Sequence, residues 1–254
     1  MTLPRTPSFR LDGRRALVAG ASSGIGLGAA VALAEQGAEV VLAARSAAKL
    51  GEAVAAMRAE GHAAEALALD VGDVAATAAA LAAKGPFDVL VNSAGLARHG
   101  PALDTKPEDF DAATHLNLRG AYFLAQAVAK GLIAAGKPGS IITVSSQMGH
   151  VGGIDRAVYC ATKHSVEGFT KAMAIEWGRH GIRVNTLCPT FIRTPLTEST
   201  FADPDRRRWL EEKIKLGRVG RVEDIMGAVA FLASDAAALV TGAALMVDGG
   251  WTAD

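Results

Sequence analysis

Short apolar runs of strand type alternate with alanine-rich helical stretches along the whole chain, and this alternation limits the possible folds more than any other feature. Strand, helix, strand in repetition is the pattern of βαβ units, whose strands run parallel because each helix carries the chain back across the sheet. The expected strands are Arg15–Ala19, Glu39–Ala43, Ala66–Asp70, Phe87–Asn92, Ser140–Ser145, Arg183–Leu187 and Ala244–Val247. Most are compact and apolar, as strands covered on both faces should be. Helices are expected over Gly24–Gln36, Ala47–Glu60, Asp73–Lys84, Pro107–Asn117, Arg119–Ala135, Ala157–His180 and Val222–Ala233. With 254 residues and no proline-rich linker, the chain suits one α/β domain over 1–254. One stretch breaks the rhythm. Residues 190–220 are long, polar and weakly periodic, with a charged helix around Arg206–Lys215, and read as a substrate-binding lid inserted in that domain. Arg206, Arg207 and Arg208 read as its solvated face.

Charge excludes several function classes. Lys+Arg and Asp+Glu balance at 26 each, so no net field draws the chain to nucleic acid or an anionic membrane. No apolar run is long enough to span a bilayer, and Met1–Leu11 lacks the apolar segment of a signal peptide. Cys160 and Cys188 form no C-x-x-C pattern and read as small apolar fillers in a reducing, cytoplasmic setting. No metal-ligand set is expected.

The first strand runs into Gly20-Ala21-Ser22-Ser23-Gly24-Ile25-Gly26, and an apolar helix follows at once. Glycines at such a junction permit a tight turn, backbone approach to a pyrophosphate and close helix-to-strand packing, while the free N–H groups of the helix start receive the anion. The second strand ends in Ala43-Ala44-Arg45-Ser46, with no acidic residue to hold a ribose 2′-hydroxyl. Arg45 suits a 2′-phosphate instead, which favours NADP(H) over the alternative, NAD(H).

Tyr159 and Lys163 stand four residues apart on an expected helix and so share a face. A phenol of pKa ~10 is a poor proton-transfer group at neutral pH. A cation ~6 Å away at an effective dielectric of ~20 favours its phenolate by roughly 2–3 kcal/mol.

Together these motifs resemble the classical short-chain dehydrogenase/reductase family over nearly the whole chain. The likeness is carried by Gly20–Gly26, Asp70-Val71, Asn92-Ser93-Ala94-Gly95, Asn117, Ser146, Tyr159, Lys163 and Pro189–Thr194, in that order. It implies a Rossmann-type doubly wound parallel β-sheet of about seven strands and an NAD(P)-dependent interconversion of secondary alcohol and ketone. By resemblance, Tyr159 is the general acid/base, Lys163 tunes it and binds the nicotinamide ribose, Ser146 polarises the carbonyl, and Asn117 anchors a water. The cofactor contacts implied are Gly20, Ser22, Ser23, Gly24, Ile25, Gly26, Arg45, Asp70, Val71, Asn92, Ala94, Gly95, Tyr159, Lys163, Pro189, Ile192 and Thr194. A homotetramer built on the Arg119–Ala135 and Ala157–His180 helices is implied too. Ala19 and Thr190 stand where the family usually has threonine and glycine, and neither change deletes a catalytic group.

Substrate contacts are expected from Gln147, His150, Arg156 and Arg193, with His99 and Asp155 beside them. Such polar density suits a small hydroxylated substrate: a sugar, polyol or sugar acid. The alternative is a 3-oxoacyl-[acyl-carrier-protein] reductase, for which Lys137, Arg179 and His180 would form a docking patch. A non-catalytic NADP-binding regulator is the reading from another class; the filled Ser, Tyr and Lys positions argue against it.

Overall fold

A computed structural model describes residues 1–195 and 197–253, apart from the side chain of residue 199. At its centre lies a parallel sheet ordered β3-β2-β1-β4-β5-β6-β7. The strands are β1 (Arg15–Ala19), β2 (Glu39–Ala44), β3 (Ala64–Ala68), β4 (Val89–Asn92), β5 (Gly139–Val144), β6 (Ile182–Pro189) and β7 (Ala244–Val247). Helices α1 (Gly24–Glu35), α2 (Ala47–Ala59) and α9 (Glu223–Ala233) cover one face. The other face carries α3 (Val74–Lys84), α5 (Ala121–Ala134) and α6 (Ala157–Trp177), with α4 (Pro107–Thr114) leading into α5. This is the doubly wound arrangement expected.

Strand side chains point alternately to the two faces, so adjacent residues feed separate cores. Val18, Leu42, Val91 and Ile142 pack with Leu33, Leu50 and Val229 on one side. Leu17, Val41, Leu90 and Ile141 pack with Leu81, Leu124 and Leu132 on the other. Leu33 and Leu124 are fully buried, and truncating either to alanine would cost about 2–5 kcal/mol. Alanines Ala29 and Ala30, also fully buried, let α1 lie close to the sheet.

Most element boundaries shift by a few residues from the sequence expectation, and three stretches bear on the site. β3 ends at Ala68, so Leu69, Asp70 and Val71 leave the strand and turn into the cleft. As an edge strand pairing only with β2, it alternates buried and open positions and is not apolar throughout. The helix expected over Pro107–Asn117 stops at Thr114 and widens into a π-helical turn, His115–Gly120, which contains Asn117. The 190–220 stretch, of which residue 196 and the side chain of 199 lie outside the described residues, holds α7 (Glu198–Phe201) and α8 (Pro204–Lys213). Asp203 starts α8 by accepting hydrogen bonds from the Asp205 and Arg206 N–H groups, with Pro204 in the first turn. Phe201, Leu210, Ile214 and Val219 make a small core of their own against Phe191 and Trp251. Among the described residues, no helix is long and apolar enough to cross a membrane.

Candidate active site

Chain order reverses between β1 and β4. Where neighbouring strands send their connections to opposite faces, a crevice opens at their carboxyl ends. A cleft of about 950 Å³ lies there. Its floor is the glycine turn. Gly20 has φ +75°, and a Cβ on it would sit 2.8 Å from the Ser93 and Ala94 backbone. A Cβ on Gly26 would come within 2.2 Å of the Gly20 carbonyl oxygen, so only glycine lets α1 seat against the turn. Ser23 makes no side-chain cap on α1, and the first turn carries no acidic residue. Its N–H groups are therefore free of side-chain acceptors, as an anion site at a helix start requires. These features fit a dinucleotide's pyrophosphate.

Gly20, Ser22, Ser23, Gly24, Ile25, Arg45, Asp70, Val71, Ala94, Gly95, Tyr159, Lys163, Pro189, Ile192 and Thr194 all line this cleft. Gly26 lies behind it as a packing residue. Asn92 is buried and shapes the wall indirectly, its Oδ1 accepting the Ala94 N–H at 3.1 Å. Arg45 does not stand alone: Lys49, one helical turn further on, lines the same end of the cleft. Ser46, the cap of α2, aligns that turn by accepting the Lys49 N–H. Sequence reasoning missed Lys49, although its four-residue spacing from Arg45 across a helix start was the available signal. Among the described residues, neither cation has a carboxylate partner.

At the other end, Ser146, Tyr159 and Lys163 come together. Ser146 follows β5 in an extended conformation, accepts the Met148 N–H at 3.1 Å and donates to Gln147 Oε1 at 2.9 Å. Lys163 Nζ lies 5.5 Å from the centre of the Tyr159 ring and donates to the Val144 carbonyl at 2.9 Å. The shared helix face is as expected, but the tuning is not. Burial pushes the Tyr159 phenol up to about 12, against the pull of the Ser146 hydroxyl, and Arg156 helps only weakly. Burial likewise drives Lys163 down to about 8, opposed by Cys188 and Glu167. Desolvation of both groups outweighs the attraction inferred from spacing.

Asn117 anchors chain rather than cleft. Its Oδ1 accepts from Leu96 N at 2.9 Å, its Nδ2 donates to Leu96 O at 2.8 Å, and it reaches the Thr162 hydroxyl on α6 at 3.4 Å. The π-helical turn thereby ties the loop after β4 to the helix that carries Tyr159.

Of the expected substrate contacts, Gln147 and Arg156 line the cleft, joined by His99, whose ring stands edge-on to Tyr159 at 5.8 Å. Two do not reach it. His150 Nε2 lies 3.6 Å from both Glu167 Oε1 and Cys188 Sγ. Arg193 lies 3.6 Å from Glu198 and over the Phe201 ring. Cys188 is no apolar filler: burial pushes its thiol up to about 12, and the retained proton is donated to Glu167 Oε1. Thr186 donates to the other oxygen of that carboxylate.

The basic patch expected for a carrier protein is misplaced. Lys137 precedes β5, and Arg179 and His180 precede β6, at the amino ends of strands whose carboxyl ends form the cleft.

The fold and cleft define a dinucleotide-binding oxidoreductase scaffold with a Ser-Tyr-Lys constellation. Residues 20–252 match the family described as Enoyl-(Acyl carrier protein) reductase. Gluconate 5-dehydrogenase of Gluconobacter oxydans is 42% identical over 248 residues, spanning 96% of each chain. L-xylulose reductase of Bos taurus is 41% identical over 245 residues, covering 96% of this chain and 99% of that one. The crystal structure of a gluconate 5-dehydrogenase from Burkholderia cenocepacia, in complex with NADP and tartrate, superposes with a TM-score of 0.93. That protein is 40% identical, and the match covers 97% of this chain and 98% of the other. The chain belongs to the short-chain dehydrogenase/reductase family.

Proposed function

We propose that the protein is an NADP(H)-dependent oxidoreductase that interconverts a secondary alcohol and a ketone on a small hydroxylated substrate: a sugar, polyol or sugar acid. One observation carries this reading: the anion-ready glycine turn with Arg45 and Lys49, and the Ser146, Tyr159 and Lys163 side chains, lie at opposite ends of one cleft. Relatives named for gluconate, xylulose and threitol support the substrate class, as does a neighbour holding NADP and tartrate. The position of Lys137, Arg179 and His180 counts against an acyl-carrier substrate.

When bound, the nicotinamide cofactor supplies or accepts the hydride and, in its oxidised form, brings a positive charge. In reduction the Tyr159 hydroxyl gives its proton to the substrate oxygen, a role suited to a phenol that stays protonated at neutral pH. Ser146 donates a hydrogen bond to the same oxygen, turning its hydroxyl from Gln147 to do so. Lys163, whose pKa burial lowers to about 8, holds the proton that replenishes Tyr159. Asn117 keeps α6 in register with the loop after β4. Residues 190–220 act as the lid. Exposed Tyr122 and Ile133 on α5 and Ile175 on α6 favour assembly through those helices as a homotetramer. Two free buried cysteines suit a cytoplasmic setting.

The test is a panel of pentuloses, polyols and aldonates followed by nicotinamide absorbance with both cofactors. Turnover of panel members with NADP(H), lost in Tyr159→Phe, is the expected result. Activity confined to 3-oxoacyl thioesters would overturn the reading.

A further inference from the structure

Beside the cleft lies a smaller cavity of about 370 Å³, and the two share His99, Arg156 and Thr200. The side cavity is completed by Asp155 and Asp203 and by Arg206 from α8. Arg206 therefore departs from the solvated face on which Arg207 and Arg208 pair with Glu211 and Asp205. Its Nε is buried and has no hydrogen-bond partner. Arg156, only 5% exposed, makes one side-chain hydrogen bond among the described residues, a long one of 3.5 Å to the Asp155 carbonyl. Among the described residues, neither guanidinium forms an ion pair. Asp203 is occupied in capping α8, and the Asp155 carboxylate lies beyond ion-pair reach of both.

Two guanidinium groups thus face one small cavity with most of their donors unused. The buried Arg156 charge without an ion-pair partner is costly, and the neighbouring Arg206 adds repulsion. Burial and then Arg206 push Arg156 below its ordinary range. Burial, followed by Arg156 and Arg206, drives His99 down to about 4. His99 is therefore neutral and adds no positive charge, offering one donor and one acceptor to a hydroxyl. Although Asp155 and Asp203 line the cavity, neither engages these donors, and a guanidinium offers paired, planar donors suited to an oxyanion.

We propose that Arg156 and Arg206 form a subsite for a carboxylate, so that the preferred substrate is a sugar acid rather than a neutral sugar or polyol. Asp155 and Asp203 line the same cavity and oppose any anion, a dianion more than a monocarboxylate, so a single negative charge fits better than a phosphate. His99, edge-on to Tyr159, places this subsite next to the reacting end of the cleft. The bound carboxylate also bridges α8 to the start of α6.

This deepens the function proposed above and rests on it for the identity of the cleft, but binding tests it without turnover. Calorimetry on the NADP(H)-loaded protein compares D-gluconate, D-glucitol and D-glucitol 6-phosphate, six-carbon chains that differ at one end. Gluconate is expected to bind at least tenfold more tightly than glucitol and than the phosphate, with the preference weakening as salt is raised. In Arg206→Met the gluconate-to-glucitol ratio falls to twofold or less; Arg206→Lys keeps part of it, which separates charge from packing. A wild-type ratio below twofold, an unchanged ratio in Arg206→Met, or tightest binding of the phosphate overturns the subsite. Gluconate preference without turnover of any panel member would sink the alcohol–ketone reading and leave the subsite standing.

Discussion

Replacing Lys163 by methionine tests whether the site is paid for in stability. The ammonium is buried, and its pKa falls from 10.5 to about 8 because burial disfavours the charge. At about 1.4 kcal/mol per pH unit, holding it charged below pH 8 costs the folded state about 3 kcal/mol. Methionine has a similar shape and no charge, so it removes that cost. It also strips the Val144 carbonyl of its donor, a loss of about 1–3 kcal/mol for a buried acceptor. Lys163→Met is therefore expected to match or exceed the parent in stability at pH 7 by up to about 2 kcal/mol, while abolishing turnover.

The sign must change with pH. Between pH 8 and 10.5 the unfolded chain binds the lysine proton more strongly than the folded one, so the parent gains stability as pH rises. By pH 10 only about 1 kcal/mol of the burial cost remains, and the lost hydrogen bond dominates. The variant is then the less stable protein, by up to about 2 kcal/mol. Tyr159 and Cys188 titrate in both proteins and cancel in the comparison. Urea unfolding of both at pH 7 and pH 10, at one protein concentration, measures the crossover. A variant destabilised by more than about 1 kcal/mol at pH 7, or a difference that does not move with pH, would refute the reasoning.

Tyr159→Phe is expected to remove activity while leaving dinucleotide binding within about twofold by calorimetry; more than a tenth of kcat, a barrier change under ~1.4 kcal/mol, would point to another acid. Arg45→Ala with Lys49→Ala should weaken kcat/KM for NADPH by roughly 10- to 100-fold, the worth of about 1.5–3 kcal/mol of charged hydrogen bonding. NADH should be spared, and equal losses for both would remove the pair from cofactor selection. Gly26→Ala, whose Cβ would meet the Gly20 carbonyl at 2.2 Å, is expected to abolish dinucleotide binding; retained binding would show that the turn yields.

What was readable in the chain was what local pattern decides. The bounds of β1 and β7 were placed as observed, since each is a short apolar run between turn residues. Helical spacing puts Tyr159 and Lys163 on one face, while the roles expected of them come from the family resemblance. Arg206 was not readable, because a charged run such as Arg206-Arg207-Arg208 does not reveal which member the tertiary fold turns inward. His150 and Arg193 failed for the same reason: each lay in a stretch near the cleft, yet found Glu167 or Glu198 on another element. The π-helical turn at His115–Gly120 breaks a helical pattern that the residues themselves continue.

The reversal at Tyr159 shows which quantity spacing leaves out. A lysine at this distance lowers a phenol's pKa on balance only where its attraction exceeds the cost of desolvating the phenolate, and here the phenol is buried. Burial shifts the two groups apart, the phenol up to about 12 and the ammonium down to about 8. The protein alone therefore holds Tyr159 as an acid, ready for reduction, and Lys163 is the member of the pair that titrates in the working range. Oxidation needs a phenolate, which burial opposes. Added positive charge beside the ring is what would make it accessible, so base strength in this cleft depends on what occupies it. In the mechanism proposed above the lysine serves as a buried proton reservoir, and the instability expected of it at pH 7 is the same desolvation that lowers its pKa to about 8.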